Sequence, residues 1–259
     1  MGTPFATDRA AEQVLAALQA RGFEHAQVTV SESRRCELNL AHNEPSLLRS
    51  NESRKLAASG IVGGRRASAE GNDLSADGVA TLVDNLWTAA GSAPPDEANA
   101  VSAGQTATLA RGPREADPAQ LAAALRTLLD WRAAQVPTMM IEEALAAHVH
   151  SRSHTVTSGG SAIACDFGWC ELSVFGLARE GGRTSSFNHA GGTADALADV
   201  PHAFGIDRMM RELAQQVHTQ PLAERFVGDV VLAPGAVADL VERLMGQLGD
   251  GPLIDGSSL

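Results

Sequence analysis

A chain of 259 residues, 44% hydrophobic and 20% charged, can bury one large core or two ordinary ones, and that balance excludes bulk disorder. Lys and Arg number 20 against 31 Asp and Glu, so a formal net charge of −11 repels a phosphate backbone and argues against direct nucleic-acid binding. Lys55 is the sole lysine and tyrosine is absent, which leaves aliphatic side chains to build the core.

The opening M-G-T-P-F-A-T-D-R-A has no basic region followed by an apolar stretch, so no signal peptide is expected. A first helix is predicted to start after a cap at Thr7 or Asp8, with Ala11, Val14, Leu15 and Leu18 inward and Gly22 as its stop. Two alternating runs follow, Ala26-Val28-Val30 and Cys36-Leu38-Leu40, each with the period of a half-buried antiparallel strand. Residues 54–70 predict strand pairs around Gly60, Gly63 and Gly64. A helix from about Ser75 to Gly91 places Val79, Leu82, Val83 and Leu86 on one side.

Residues 93–117 shift to Ala, Gly, Pro, Ser and acidic residues without periodicity and read as a linker or long loop. Asp117-Pro118 then have the order of helix cap and first-turn proline, with Leu121, Leu125, Leu128 and Leu129 inward. Strands are predicted over 138–150, 153–158, 160–166 and 169–178, and a helix over 204–217. Val230-Val231-Leu232 read as a short strand, Pro234-Gly235 break it, and residues 236–248 carry Val237, Leu240, Val241, Leu244 and Leu248 at helical spacing. Leu253, Ile254 and Leu259 begin another apolar segment, so the chain reads as the front part of something larger.

These elements predict an α+β fold of two units, 1–92 and 118–259, each running helix, antiparallel strands, helix, with the start of a further strand-helix unit at the C-terminus. No apolar run approaches the roughly 20 residues that span a bilayer. Cys36, Cys165 and Cys170 are odd in number and lack Cys-x-x-Cys spacing, as expected of reduced thiols, and a cytoplasmic location without membrane contact is the expectation.

V-V-L-A-P-G-A-V-A-D-L-V-E-R-L followed by G-S-S-L resembles the middle of the TldD/PmbA family, the metalloprotease-related "modulator of DNA gyrase" proteins. V-T-V-S-E-S-R-R-C-E-L from Val28, A-S-G-I-V-G-G-R-R-A-S over 58–68 and N-D-L-S from Asn72 resemble that family's N-terminal half in the expected order. In TldD-type members the helix after the Val-Val-Leu segment carries His-Glu-x-x-x-His, which holds zinc while the Glu acts on the metal-bound water. Alignment on Gly256-Ser257-Ser258 puts Val241 and Gly246 at the two ligand positions and Glu242 at the glutamate; anchoring on Val230 shifts this by one residue. Neither register supplies a histidine, because His218 is the last in the chain. Glu242 falls off the apolar stripe, as a solvated charge does. Members lacking the motif are PmbA-like, also called TldE.

His148 and His150 form an alternative metal pair, since alternate residues of a strand share a face and His154 is near enough to contribute. The same V-H-S-R-S-H alternation also reads as the polar, solvent-facing end of a strand. Gly63-Gly64, Gly159-Gly160, Gly181-Gly182 and Gly191-Gly192 match no phosphate-loop pattern and read as turns, and Thr157-Ser158-Gly159-Gly160 departs from the Asn-Ser-x-Gly turn of the family. Cys165 and Cys170 read as packed side chains.

The resemblance implies a PmbA/TldE-like protein with no catalytic residue and no cofactor of its own, zinc being expected only in a TldD-type partner. It further implies a homodimer, or a heterodimer with a TldD-type subunit, acting on peptides or unfolded polypeptides. A binding or scaffold module outside proteolysis, and a metallohydrolase using His148 and His150, are the alternatives.

Overall fold

The computed structural model describes residues 6–221, 224–225 and 227–258, without the side chains of 6–8. The first helix begins at Ala6, ahead of the cap expected at Thr7 or Asp8, whose side chains are not described, and the apolar Leu259 lies outside the described residues. Contacts divide the chain into two units, Met1–Thr219 and Gln220–Leu259.

The first unit runs α1 (Ala6–Arg21), β1 (His25–Ala41), β2 (Glu44–Val62), β3 (Arg65–Gly71), α2 (Ala76–Ser92), β4 (Thr106–Arg111), α3 (Pro118–Gln135), β5 (Met139–Thr157), β6 (Ala162–Glu180), β7 (Arg183–Thr184), β8 (Asn188–Ala194) and α4 (Ile206–Gln216). It is an α+β fold whose helix, strands, helix order occurs twice around one sheet. The strand order is β3-β2-β1-β5-β6-β4, with β7 and β8 also paired to β6; all pairs are antiparallel except β4 with β6.

Several boundaries differ from the sequence reading, for one reason. The polar stretches S-E-S-R-R over 31–35 and S-R-S over 151–153 interrupt the apolar alternation but not the backbone ladder. Ser33 lies opposite Ser53 on one side and Ser151 on the other, so β1 and β5 continue through as single strands of 17 and 19 residues. Likewise, 160–166 and 169–178 belong to one strand, β6. Within 93–117, the segment Thr106–Arg111 becomes β4 because β6 supplies its hydrogen-bonding partners. Gly63, Gly64, Gly160, Gly181 and Gly182 occupy left-handed turn conformations, whereas Gly191-Gly192 sits inside β8.

The helices pack over two apolar clusters. Ala26, Val28 and Val30 meet α1 and α2 through Val14, Leu18 and Leu86. Cys36 and Leu40 meet α3 and α4 through Leu128, Met210 and Leu213. These β1 residues all have the same parity, so both clusters lie on one sheet face, at opposite ends of the strand. A register shift between Ile141 and Glu143 keeps Met139, Ile141, Ala144 and Ala146 in the second cluster.

The β1–β2 hairpin turns through His42 and Asn43, both at positive φ, as a two-residue turn of the I′ kind requires. The Asn43 side chain then accepts from the Ile141 N–H at 2.9 Å beside the β5 irregularity. Asn43→Ala should cost about 1–2 kcal/mol in urea unfolding, by losing that bond and placing alanine in the left-handed region. Asn43→Gly, which keeps the turn conformation, should recover part of the loss.

The second unit holds α5 (Pro234–Gln247) and α6 (Asp250–Asp255). Val230, Val231 and Leu232 are not in a strand, and Leu253 and Ile254 belong to helix α6. A strand needs a partner ladder, and the sequence pattern alone does not supply one. The apolar stripe of α5 remains exposed at Val237, Leu240, Val241, Leu244 and Leu248. Among the described residues no helix is long and apolar enough to cross a membrane.

Candidate functional site

Between the two apolar clusters the helix-bearing sheet face becomes a polar waist. Its residues come from paired positions on three strands: Glu32 and Arg34 on β1, His148, His150, Arg152 and His154 on β5, and Asp166 on β6. His148, His150 and His154 are only 4, 8 and 8% exposed, which corrects their reading as a solvent-facing strand end. They sit on the same face as Ala146 and Val156, the points where the two clusters meet the waist.

His150 Nε2 lies 2.6 Å from Asp166 Oδ1, and Arg114 Nε and Arg152 Nε approach Asp166 Oδ2 at 3.4 and 3.6 Å. His148 Nε2 lies 2.9 Å from the Pro113 carbonyl; because a carbonyl only accepts, that nitrogen carries the proton. Both imidazoles are thus engaged by protein acceptors. Among the described residues no group of three or more His, Cys, Asp or Glu side chains is arranged to hold a metal ion.

A strap crosses the waist. After β4 ends at Arg111, Gly112 adopts φ +77° and the chain passes directly over Gly168 on β6. A Cβ at Gly168 would come within 1.5 Å of the Pro113 oxygen, and one at Gly112 within 1.9 Å of the Gly168 oxygen. Two glycines therefore permit the crossing, and the His148 and Asp166 contacts fasten it. Beyond Pro113, Arg114, Glu115 and Ala116 border a cleft of about 420 Å³ whose floor includes Cys36, His148 and His150, with Ser50 and Glu52 of β2 on the far side.

The opposite sheet face carries a second charged network. Glu37, 4% exposed, accepts from Arg35 Nε at 2.5 Å and Arg49 Nε at 2.8 Å. Arg35 continues to Glu171 at 2.8 Å, which also accepts from Trp169 Nε1 at 2.8 Å. The Arg35 bond holds the Glu37 carboxyl below the usual range, against burial and with help from Arg49. Burial pushes the Cys170 thiol up, which disfavours the thiolate a nucleophile needs.

Sequence reading singled out His148 and His150 but not Asp166, Arg114 or Glu52. Asp166 and Arg114 come from separate segments, a strand edge and an apparent linker, and only the β4–β6 and β5–β6 registers unite them. On α5, Val241 and Glu242 are exposed, Gly246 has no neighbour that would obstruct a Cβ, and the helix contains no histidine. His148 and His150 lie on β5 of the first unit.

No protein-family model and no curated protein matches the sequence. Solved structures do share the fold. TldE from Thermococcus kodakarensis superposes with a TM-score of 0.63 at 17% identity, over 80% of this chain and 47% of that one. Proteins from Bacteroides thetaiotaomicron and Thermotoga maritima, each called a "putative modulator" of DNA gyrase, give TM-scores of 0.65 and 0.53. Identity is 16 and 11%, and coverage is 79 and 81% of this chain against 48 and 47% of theirs. The chain spans about half the length of these structures, and over that half it has the fold that all three show.

Proposed function

We propose that this chain is a TldE-like, peptidase-related member of the TldD/PmbA family that acts without a zinc site of its own, as a binding subunit in cytoplasmic peptide processing. This reading rests on α5, where the family resemblance puts Val241 and Gly246 at the ligand positions of the zinc motif and where neither register of that match finds a histidine. A valine and a glycine offer a metal no donor, and without a metal-bound water Glu242 has nothing to activate. The fold shared with TldE supports the same assignment.

The binding surface this reading calls for has a candidate in β2. β3 pairs with β2 only over Leu56–Val62, and among the described residues no strand covers the outer edge of 44–55, which is exposed throughout. An edge of that length can accept an extended peptide through main-chain hydrogen bonds. Zinc and hydrolysis then belong to a TldD-type partner in a heterodimer, or are absent from a homodimer.

Purified alone, the protein should contain no stoichiometric zinc by elemental analysis and should not cleave unfolded casein. Mixed with a TldD-type subunit, it should raise that subunit's peptidase rate. Zinc retained at one equivalent, with chelator-sensitive cleavage by the chain alone, would sink the proposal. A scaffold outside proteolysis would instead leave the partner's rate unchanged.

A further inference from the structure

The waist cleft has the chemistry of a ligand site distinct from main-chain pairing along the β2 edge, although Ser50 and Glu52 belong to both. Its rim carries charges of both signs on two independent segments. β2 and β1 contribute Glu52 and Arg34, paired at 3.0 Å and 73 and 74% exposed at the side chain. The strap contributes Glu115, with no ion pair among the described residues, and Arg114, 55% exposed and held to Asp166 by one 3.4 Å contact. Exposed pairs of this kind are weak and exchange partners readily. The floor, by contrast, is fixed, because His148 and His150 are buried and held by Pro113 and Asp166.

Arg35 also lines the cleft but is committed to Glu37 and Glu171, which leaves two guanidiniums and two carboxylates that sum to zero, so a simple anion or cation would meet as much repulsion as attraction at this rim. A molecule carrying both charges would satisfy all four groups. About 420 Å³ lies in the range of small-molecule sites and suits something the size of a dipeptide.

We propose that the waist cleft binds a small zwitterion, an α-amino acid or short unblocked peptide. Its carboxylate is held by Arg34 and Arg114 in the paired N–H geometry that guanidinium offers. Its ammonium group faces Glu52 and Glu115, and its body lies over His148 and His150. Because Arg114 and Glu115 belong to the strap, occupancy fastens the strap to β1 and β2. The proposal rests on the waist alone and stands whether or not α5 ever takes part in proteolysis.

Calorimetric titration of the whole chain with Ala-Ala, N-acetyl-Ala-Ala, Ala-Ala amide and inorganic phosphate tests it. Ala-Ala should bind saturably, and blocking either terminus should weaken it at least about tenfold, since each block removes one charge-assisted set of bonds. Arg114→Gln and Glu52→Gln should each weaken Ala-Ala to a similar degree, and Glu52→Gln, which leaves the Arg114–Asp166 contact of the strap in place, should unfold at the wild-type temperature. Absence of Ala-Ala binding, equal affinity for the blocked peptides, phosphate binding as tightly as Ala-Ala, or unchanged affinity in both variants would each overturn it.

Discussion

Gly168→Ala should destabilise the first unit by about 3 kcal/mol and release the strap, a large effect for one added methyl group. The new Cβ would meet the Pro113 carbonyl oxygen at 1.5 Å and its carbon at 2.6 Å. Those are backbone atoms, so no side-chain rotation can relieve the clash; the strap itself must lift. Lifting it breaks the His148 bond to Pro113 and carries Arg114 away from Asp166. Urea unfolding measures the energetic cost, and hydrogen exchange at 112–116 reports the opening. Gly168 does not occupy the positive-φ region, so alanine fits its backbone conformation and the cost is steric. Wild-type exchange rates at 112–116 in the variant would show that the strap does not cross as described.

Glu37→Ala should cost about 2–3 kcal/mol, because a nearly buried carboxylate with two guanidinium partners disappears and leaves Arg35 with Glu171 alone. Arg49, 60% exposed, recovers hydration and keeps the loss from being larger. The pH dependence has a definite sign. The folded carboxyl titrates below its ordinary value of 4.5, so its stabilisation is fully present above that value and is lost as pH falls through the folded pKa. Wild type should therefore lose stability relative to Glu37→Gln as the solution is acidified below about pH 4.5, while the difference between them stays flat from pH 6 to 8. Parallel stability curves through the acid range would remove Glu37 from that role.

Local physical signals are legible in this sequence. Asp117 caps α3 through its side chain, accepting from the N–H groups of Ala119 and Gln120, and Ser75 caps α2. The apolar positions read from periodicity are largely those that become buried, such as Val14, Leu18, Leu86, Leu125 and Leu128. Leu253 and Ile254, by contrast, fall in a short helix, because two apolar residues carry no period by which to distinguish helix from strand.

The waist was only partly legible. The spacing of His148 and His150 puts both on one strand face, but whether that face meets solvent, metal or protein depends on what crosses it. What crosses it is a segment without periodicity, held by a parallel pairing to β6 some fifty residues away. Strand continuity through 31–35 and 151–153 likewise came from the two neighbours of β1, each supplying hydrogen bonds where the side-chain pattern lapses.

The sequence by itself determined helices α2 and α3 with their caps at Ser75 and Asp117, most of the apolar residues of both clusters and the lack of histidine in α5, since each depends on identity and short-range spacing. Tertiary structure alone decided that two α+β halves share one sheet, that three histidines are buried, and that Arg114, His150 and Asp166 meet. Those outcomes depend on register between distant strands, and register is fixed by the summed burial and hydrogen bonding of whole ladders rather than by any local run of residues.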